Sequence, residues 1–168
     1  VDLFGQTVSI VADDFDGFEN SLNGLANQMA QAINTAGVPG VSAAVTNQYV
    51  EITSKPDITN AVVIKDQTEP DASITVDTAT NKITLGGQID NGDEFGFTIN
   101  GTDLTFKIGA DGFSNTDAGV RAQLKAVIED AGITGLVVTE GTGRDVTLSM
   151  PLNTCLLYTS DAADDLLC

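Results

Sequence analysis

The sequence predicts an α+β fold made of tandem β-β-α-β-β units, with one helix packed on a mostly antiparallel sheet in each unit. The first observation behind this prediction is an internal repeat with an offset of 95 residues. The second is the alternation of apolar and polar residues in short segments, on both sides of a segment with helical periodicity. The third is the placement of glycine and of Asn-Gly where these segments end, which is typical of helix caps and hairpin turns.

The repeat is clearest in a pentapeptide, since Asp-Gly-Phe-Glu-Asn at residues 16–20 returns as Asp-Gly-Phe-Ser-Asn at residues 111–115. The same offset aligns further identical residues, namely Gly24 with Gly119, Gln28 with Gln123, Ile33 with Ile128, Gly37 with Gly132, and Gly40 with Gly135. One register kept across a helix and both of its ends indicates a tandem array. Arrays are usually built for reach, surface or assembly rather than for a single active site.

The second copy opens with a predicted hairpin. Residues 95–99 and 104–108 each alternate apolar with small or polar residues, which is the pattern of a half-buried strand. Asn100 and Gly101 lie between them, and both residues readily adopt the positive φ values of a type I′ turn. The two strands should therefore pair antiparallel.

A helix and two closing strands complete this copy. Asn115 or Thr116 caps a helix that runs to about Ala131, and Gly132 ends it. Its predicted apolar face consists of Val120, Leu124, Val127, Ile128 and Ala131. The closing strands are residues 136–140 and 145–149.

The first copy has the same plan, with its opening strand missing. Residues 7–10 stand for the second hairpin strand, and the helix runs from about Ser21 to Ala36 and ends at Gly37. Its inward residues are predicted to be Leu25, Met29, Ala32, Ile33 and Ala36, at the offset of the inward residues of the other helix. The closing strands are residues 41–45 and 49–53.

These patterns divide the chain into residues 1–54 as an N-terminally truncated first unit, 55–85 as a β-rich connector, and 86–154 as a second unit. The connector is rich in β-branched residues, so we expect it to add strands rather than to be disordered. Residues 155–168 begin with a string that resembles a translated sequencing-library adapter, and we treat them as a non-native tail.

Both units resemble the flagellin hook IN motif, a module of bacterial flagellins and hook-associated proteins. In the first unit the matching segments are Ile33-Asn34-Thr35-Ala36-Gly37, Val41-Ser42-Ala43-Ala44 and Ile52-Thr53-Ser54. In the second unit, Glu129 stands where the motif has asparagine, and Leu136-Val137-Val138 replaces the Val-x-Ala segment. Similar modules are repeated in large secreted adhesins and in phage tail proteins. The resemblance implies an outward-facing, non-catalytic domain of an extracellular appendage or surface protein.

Composition excludes several kinds of site. The chain has no His and no Trp, and its two cysteines, Cys155 and Cys168, lie in the tail. A thiol nucleophile, a Cys/His zinc site and a His general base are therefore not expected, and we predict that the protein is not an enzyme. The net charge is −17, or −14 without the three aspartates of the tail. Such acidity argues against nucleic-acid binding and against an anionic membrane surface, and no apolar run is long enough for membrane insertion.

Two acidic clusters are the candidate metal ligands. Asp13, Asp14 and Asp16 form one cluster and Asp90 and Asp93 the other, and each lies beside glycine, as the oxygen ligands of calcium loops do. Solvated acidic turns are the alternative. It is favoured by the repeat, because Ile108 and Gly109 stand where the first copy has Asp13 and Asp14. Apart from calcium, no cofactor is expected.

The sequence therefore predicts a structural or adhesive repeat module, either of a flagellar-type filament or of a secreted adhesin. Its expected location is extracellular, at the cell surface. Its expected partners are neighbouring repeats of the same chain or filament subunits, with no nucleic acid and no membrane insertion. A phage tail or virion-surface module and a calcium-stabilised binding module are the alternatives.

Overall fold

The computed structural model describes residues 1–9, 21–66, 71–152, 156–157 and 166–167 of the chain. It has an α+β fold with antiparallel sheets, which confirms the predicted fold class. The chain divides into two compact units, Val1–Ser54 together with Pro151–Cys168, and Lys55–Met150. Within the described residues, no helix combines the length and the apolar character that crossing a membrane would require.

The first unit contains two short strands, a helix and a longer hairpin, which are β1 (Asp2–Leu3), β2 (Gln6–Thr7), α1 (Leu22–Ala36), β3 (Val41–Thr46) and β4 (Tyr49–Ser54). Strand β1 pairs antiparallel with β2, and β3 pairs with β4 from Val41 opposite Ser54 to Thr46 opposite Tyr49. The helix and the closing strands lie within one or two residues of their predicted bounds.

The opening strand of this unit is partly present, although the sequence predicts that it is missing. Phe4 and Gly5 have φ values of 53° and 86°, close to the 50° and 79° of Asn100 and Gly101. The chain therefore makes the same hairpin turn in both units, and β1 is the end of the opening strand. Sequence reasoning missed it because Phe is seldom found at positive φ, whereas Asn-Gly is a recognised turn signal.

A small core holds α1 against its strands. Leu3, Val8, Ile33 and Val38 are buried together, with relative exposures of 0 to 8%. Of the predicted inward residues of α1, Ile33 is buried and Met29, Ala32 and Ala36 pack against this cluster. Leu25 is half-buried, whereas Ala26 and Ala30 are buried, so the buried side of the helix differs slightly from the predicted one.

The described part of the second unit contains seven strands and an α-helix. They are β5 (Ile58–Lys65), β6 (Ser73–Asp77), β7 (Lys82–Gly86), β8 (Glu94–Ile99), β9 (Thr102–Lys107), α2 (Asp117–Asp130), β10 (Val137–Glu140) and β11 (Asp145–Ser149). One sheet has the order β5-β8-β9 and the other β10-β11-β7-β6. Residues 55–85 thus supply three strands to this unit, which begins at Lys55 rather than at residue 86. In the tail, β12 (Leu156–Leu157) pairs with β13 (Leu166–Leu167).

The core of the second unit is larger and contains three packed aromatic rings. The ring centroids of Phe95 and Phe106 are 5.6 Å apart and stacked, and Phe97 meets Phe106 edge-on at 6.2 Å. Helix α2 adds Val120, Leu124 and Ile128, each at most 1% exposed, as its sequence periodicity predicts. Both sheets contribute to this core, because Ile83, Leu85, Val146 and Leu148 are buried in the same cluster.

Candidate functional site

Many of the residues that repeat along the chain hold the helix of each unit to its strands, and we call the caps, turns and buried hydrogen bonds that do so the frame of the unit. At the start of the helices, the Ser21 hydroxyl accepts the Gly24 N–H at 3.1 Å, and the Thr116 hydroxyl accepts the Gly119 N–H at 3.2 Å. These are N-cap bonds, which satisfy a backbone donor that has no partner within the helix. Ser21 and Thr116 are separated by the repeat offset, so both helices begin at equivalent residues.

The helix ends repeat with the same fidelity. Gly37 and Gly132 have φ values of 62° and 63°, in the left-handed region that glycine adopts without a steric penalty. The next turn is also shared, since Val41 N–H donates to Val38 O at 3.0 Å and its counterpart Leu136 donates to Ile133 O at 3.1 Å. The chain therefore leaves both helices along the same path into the closing strands.

Asn34 ties α1 to β3 by two hydrogen bonds. Its Nδ2 donates to Ala43 O at 2.8 Å, and its Oδ1 accepts the Ala43 N–H at 2.9 Å. In an antiparallel pair, alternate residues direct both backbone groups away from the partner strand, so the clamped groups belong to the outer edge of β3. This arrangement gives a structural role to the asparagine of the Ile-Asn-x-Ala-Gly segment. Its counterpart, Glu129, instead forms an ion pair with Lys125 at 3.7 Å.

Gln123 is a buried polar residue of the frame that sequence reasoning left unassigned. It is 2% exposed, its Nε2 donates to Lys107 O at 2.6 Å, and its Oε1 accepts the Gly109 N–H at 3.2 Å. Helix α2 thereby holds the segment that follows β9. The available signal was the identity of Gln28 and Gln123 at the repeat offset, because a glutamine kept among core positions indicates a buried hydrogen bond.

The structure describes one of the two acidic clusters that the sequence offers as calcium ligands. Asp13, Asp14 and Asp16 lie outside the described residues. Asp93 is fully buried, its Oδ2 accepts the Asp90 N–H at 2.7 Å, and its own N–H donates to Asp90 O at 3.1 Å. This pair of bonds closes a turn before β8. In the described part of the chain, no group of three or more His, Cys, Asp or Glu residues could hold a metal ion.

The two arginines are engaged within the second unit. Arg144 Nε donates to Asp117 Oδ1 at 2.6 Å and its Nη1 donates to Gly87 O at 2.7 Å. Arg121 Nε donates to Glu140 Oε2 at 3.0 Å. Arg121 thus links α2 to the end of β10, and Arg144 links the loop between β10 and β11 to α2 and to Gly87, so both cations hold the fold of this unit together.

Comparisons of the chain with models of protein families, with curated proteins and with solved structures found no match. The relation to the flagellin hook IN motif therefore stands on the residues of the two units alone, and we carry it forward as a proposal.

Proposed function

We propose that this chain is a non-catalytic structural or adhesive repeat module of an extracellular bacterial surface or appendage protein. The filament type would be the outer domain of a flagellar-type protein, and the adhesive type would be part of a large secreted adhesin. The observation that carries the proposal is the nature of what repeats. The two units share helix caps, left-handed glycines and core positions at one offset, and these residues build a fold.

The contrast with a catalytic or ligand-binding repeat supports this reading. A repeat built around a site would be expected to keep its reactive or ligating side chains, because those side chains would be the reason for duplication. Here two of the three acids in the first cluster change, since Asp13 and Asp14 align with Ile108 and Gly109, and only Asp16 is kept, as Asp111 in the turn before the helix. The high negative charge fits a soluble, self-repelling extended protein better than a partner of nucleic acid.

Single-molecule force spectroscopy of the whole chain between two handles tests the structural role. The two compact units should unfold as separate events, with released lengths of about 250 Å for the unit of residues 1–54 and 151–168 and about 340 Å for residues 55–150, at roughly 3.5 Å per residue. Unfolding in one event, or without measurable resistance to force, would contradict a spacer built of independent modules.

Display of the chain on a bacterial outer-membrane carrier tests the adhesive role. We would measure retention of these cells on glycan-coated and matrix-protein-coated surfaces, with the carrier alone as the control. Retention above the control supports the adhesin type, and mechanical resistance without retention supports the spacer or filament type. Failure of both experiments would overturn the proposal.

The dependence of stability on calcium distinguishes the calcium-stabilised binding module, which is the remaining alternative, from a passive structural module. A calcium-stabilised module would gain RT ln(1 + [L]/Kd), about 2.7 kcal/mol at a hundredfold excess of calcium over Kd. Thermal unfolding of the whole chain in calcium and in chelator measures this gain. Equal melting temperatures would leave Asp90 and Asp93 as turn residues and would favour the passive structural module.

A further inference from the structure

The closing hairpins of the two units differ in what lies beside them. In the second unit, β11 pairs on one side with β10 and on the other with β7. In the first unit, the equivalent strand β4 pairs with β3, and no other described strand pairs with it. One edge of β4 therefore carries no partner strand within the part of the chain that the structure describes.

The repeat gives the correspondence residue by residue. The turn between the closing strands is longer in the second unit, which shifts the offset from 95 to 96, so Tyr49, Val50 and Glu51 correspond to residues 145–147. Asp145 is 8% exposed and Val146 fully buried, whereas Tyr49 is 77% exposed and Val50 half-buried. The strand that β7 covers in the second unit, β11, thus corresponds to β4 of the first unit, which has no described strand on that side.

The outer edge of β3 is closed in a different way. The Asn34 amide occupies the N–H and C=O groups of Ala43, so an incoming strand could not use them without breaking two hydrogen bonds. Side-chain capping of this kind protects an edge strand against unwanted pairing. Among the described residues of the first unit, no side chain caps the edge of β4 at Tyr49–Glu51, which makes this edge the candidate for strand addition.

We propose that the edge of β4 at residues 49–51 docks a β-hairpin of the β6–β7 type, supplied by a neighbouring repeat of the array. The register of the second unit, Asp145 opposite Thr84, Val146 opposite Ile83 and Thr147 opposite Lys82, provides the template. Transferred to the first unit, it places Thr84 opposite Tyr49, Ile83 opposite Val50 and Lys82 opposite Glu51.

Charge and polarity match in this register. The Lys82 ammonium would face the exposed Glu51 carboxylate, and opposite charges directly across two strands stabilise their pairing. Ile83, which is fully buried in its own unit, would extend the apolar face of β4 beside Val50. The inference rests on the proposed array function, because that function supplies the neighbouring repeat.

A fusion tests the docking. A second copy of residues 55–96 is joined directly in front of Val1 of the whole chain, which keeps the offset of 96 and adds the hairpin at a high effective concentration. We expect amide hydrogen exchange at residues 49–51 to slow at least tenfold relative to the unmodified chain, while exchange in the second unit stays the same. Unchanged exchange at residues 49–51 in a fusion with a folded added segment would overturn the proposal.

A charge exchange provides the matched control. Lys82→Glu in the added copy alone should reverse most of the protection, and Glu51→Lys combined with it should restore the protection. If the added segment fails to fold, a cyclised peptide of residues 71–88, titrated into the whole chain, should shift the amide resonances of residues 49–51, and no shift would reject the docking. If the fusion gives no protection at residues 49–51 but the chain resists force, the docking at β4 is refuted and the proposed function is not. If the hairpin docks but the chain shows neither mechanical resistance nor adhesion, the proposed function is refuted and the docking is not.

Discussion

Replacement of Asn34 by alanine is the sharpest test of the frame. The substitution removes both hydrogen bonds to Ala43, at 2.8 and 2.9 Å, and leaves the helix backbone intact. No buried volume is lost, because the Asn34 side chain is exposed. The effect on stability should therefore report the clamp between α1 and β3 rather than a cavity in the core.

The size of the effect follows from two opposing contributions. Each neutral hydrogen bond contributes about 0.5–1.5 kcal/mol net, and exposure places both at the lower end, so the clamp is worth about 1–2 kcal/mol. Alanine is a better helix former than asparagine and returns about 0.5 kcal/mol. Asn27→Ala is the matched control, since within the described residues the Asn27 amide donates to Asn23 O of its own helix and to no strand. The difference between the two variants isolates the clamp, because both gain the same helix propensity.

Urea unfolding followed by NMR resonances of the first unit measures both free energies of unfolding. Asn34→Ala should unfold at a lower urea concentration than Asn27→Ala, with a free energy of unfolding about 1–2 kcal/mol smaller. It should also speed hydrogen exchange of the Ala43 amide. Equal stability of the two variants, together with unchanged exchange at Ala43, would refute the argument that the asparagine closes the edge of β3.

Three further predictions concern the core, the helix end and acid stability. Leu124→Ala should lower the free energy of unfolding of the second unit by about 2–5 kcal/mol in calorimetry, whereas Leu22→Ala, at a side chain 70% exposed, should have little effect. Gly37→Ala should cost about 1–2 kcal/mol in urea unfolding, because Cβ is disfavoured at its φ of 62°. The Thr80 hydroxyl, donating to Asp77, holds the pKa of Asp77 below its ordinary value of 3.8. Its contribution to stability is therefore present above pH 3.8 and is lost as pH falls through the lowered pKa, and Asp77→Asn should flatten this acid limb in pH-dependent melts.

The helices were predictable because several local signals agree at each of their ends. Thr116 provides a side-chain cap, Gly132 a left-handed stop, and Val120 and Leu124 an apolar period between them. Each signal is set by neighbours a few residues away, so the sequence carries it directly. The hairpin at Asn100 is similar, since the turn residues themselves fix the strand pairing.

Long-range pairing was not predictable in the same way. Residues 82–86 have a strand pattern, but nothing local to them specifies that β7 pairs with β11, about sixty positions further along the chain. Because no local signal specifies this pairing, the sequence pattern assigns residues 82–85 to a connector rather than to the second unit. The candidate calcium ligands raise a related difficulty, because a buried carboxylate that closes a turn, such as Asp93, has the same sequence pattern as a ligand loop.

The differences between the two copies are as informative as their likeness. Where the asparagine clamp exists, at Asn34, it closes β3 and leaves β4 without a described partner on its other side. In the second unit, where Glu129 replaces the asparagine, the edge that corresponds to that of β4 is covered, since β11 pairs with β7 and β7 with β6. An open strand edge is a liability for an isolated domain, because it promotes uncontrolled association. In the proposed array, the adjacent repeat would cover this edge, and the acidic Glu51 would favour a hairpin that carries a lysine at the facing position.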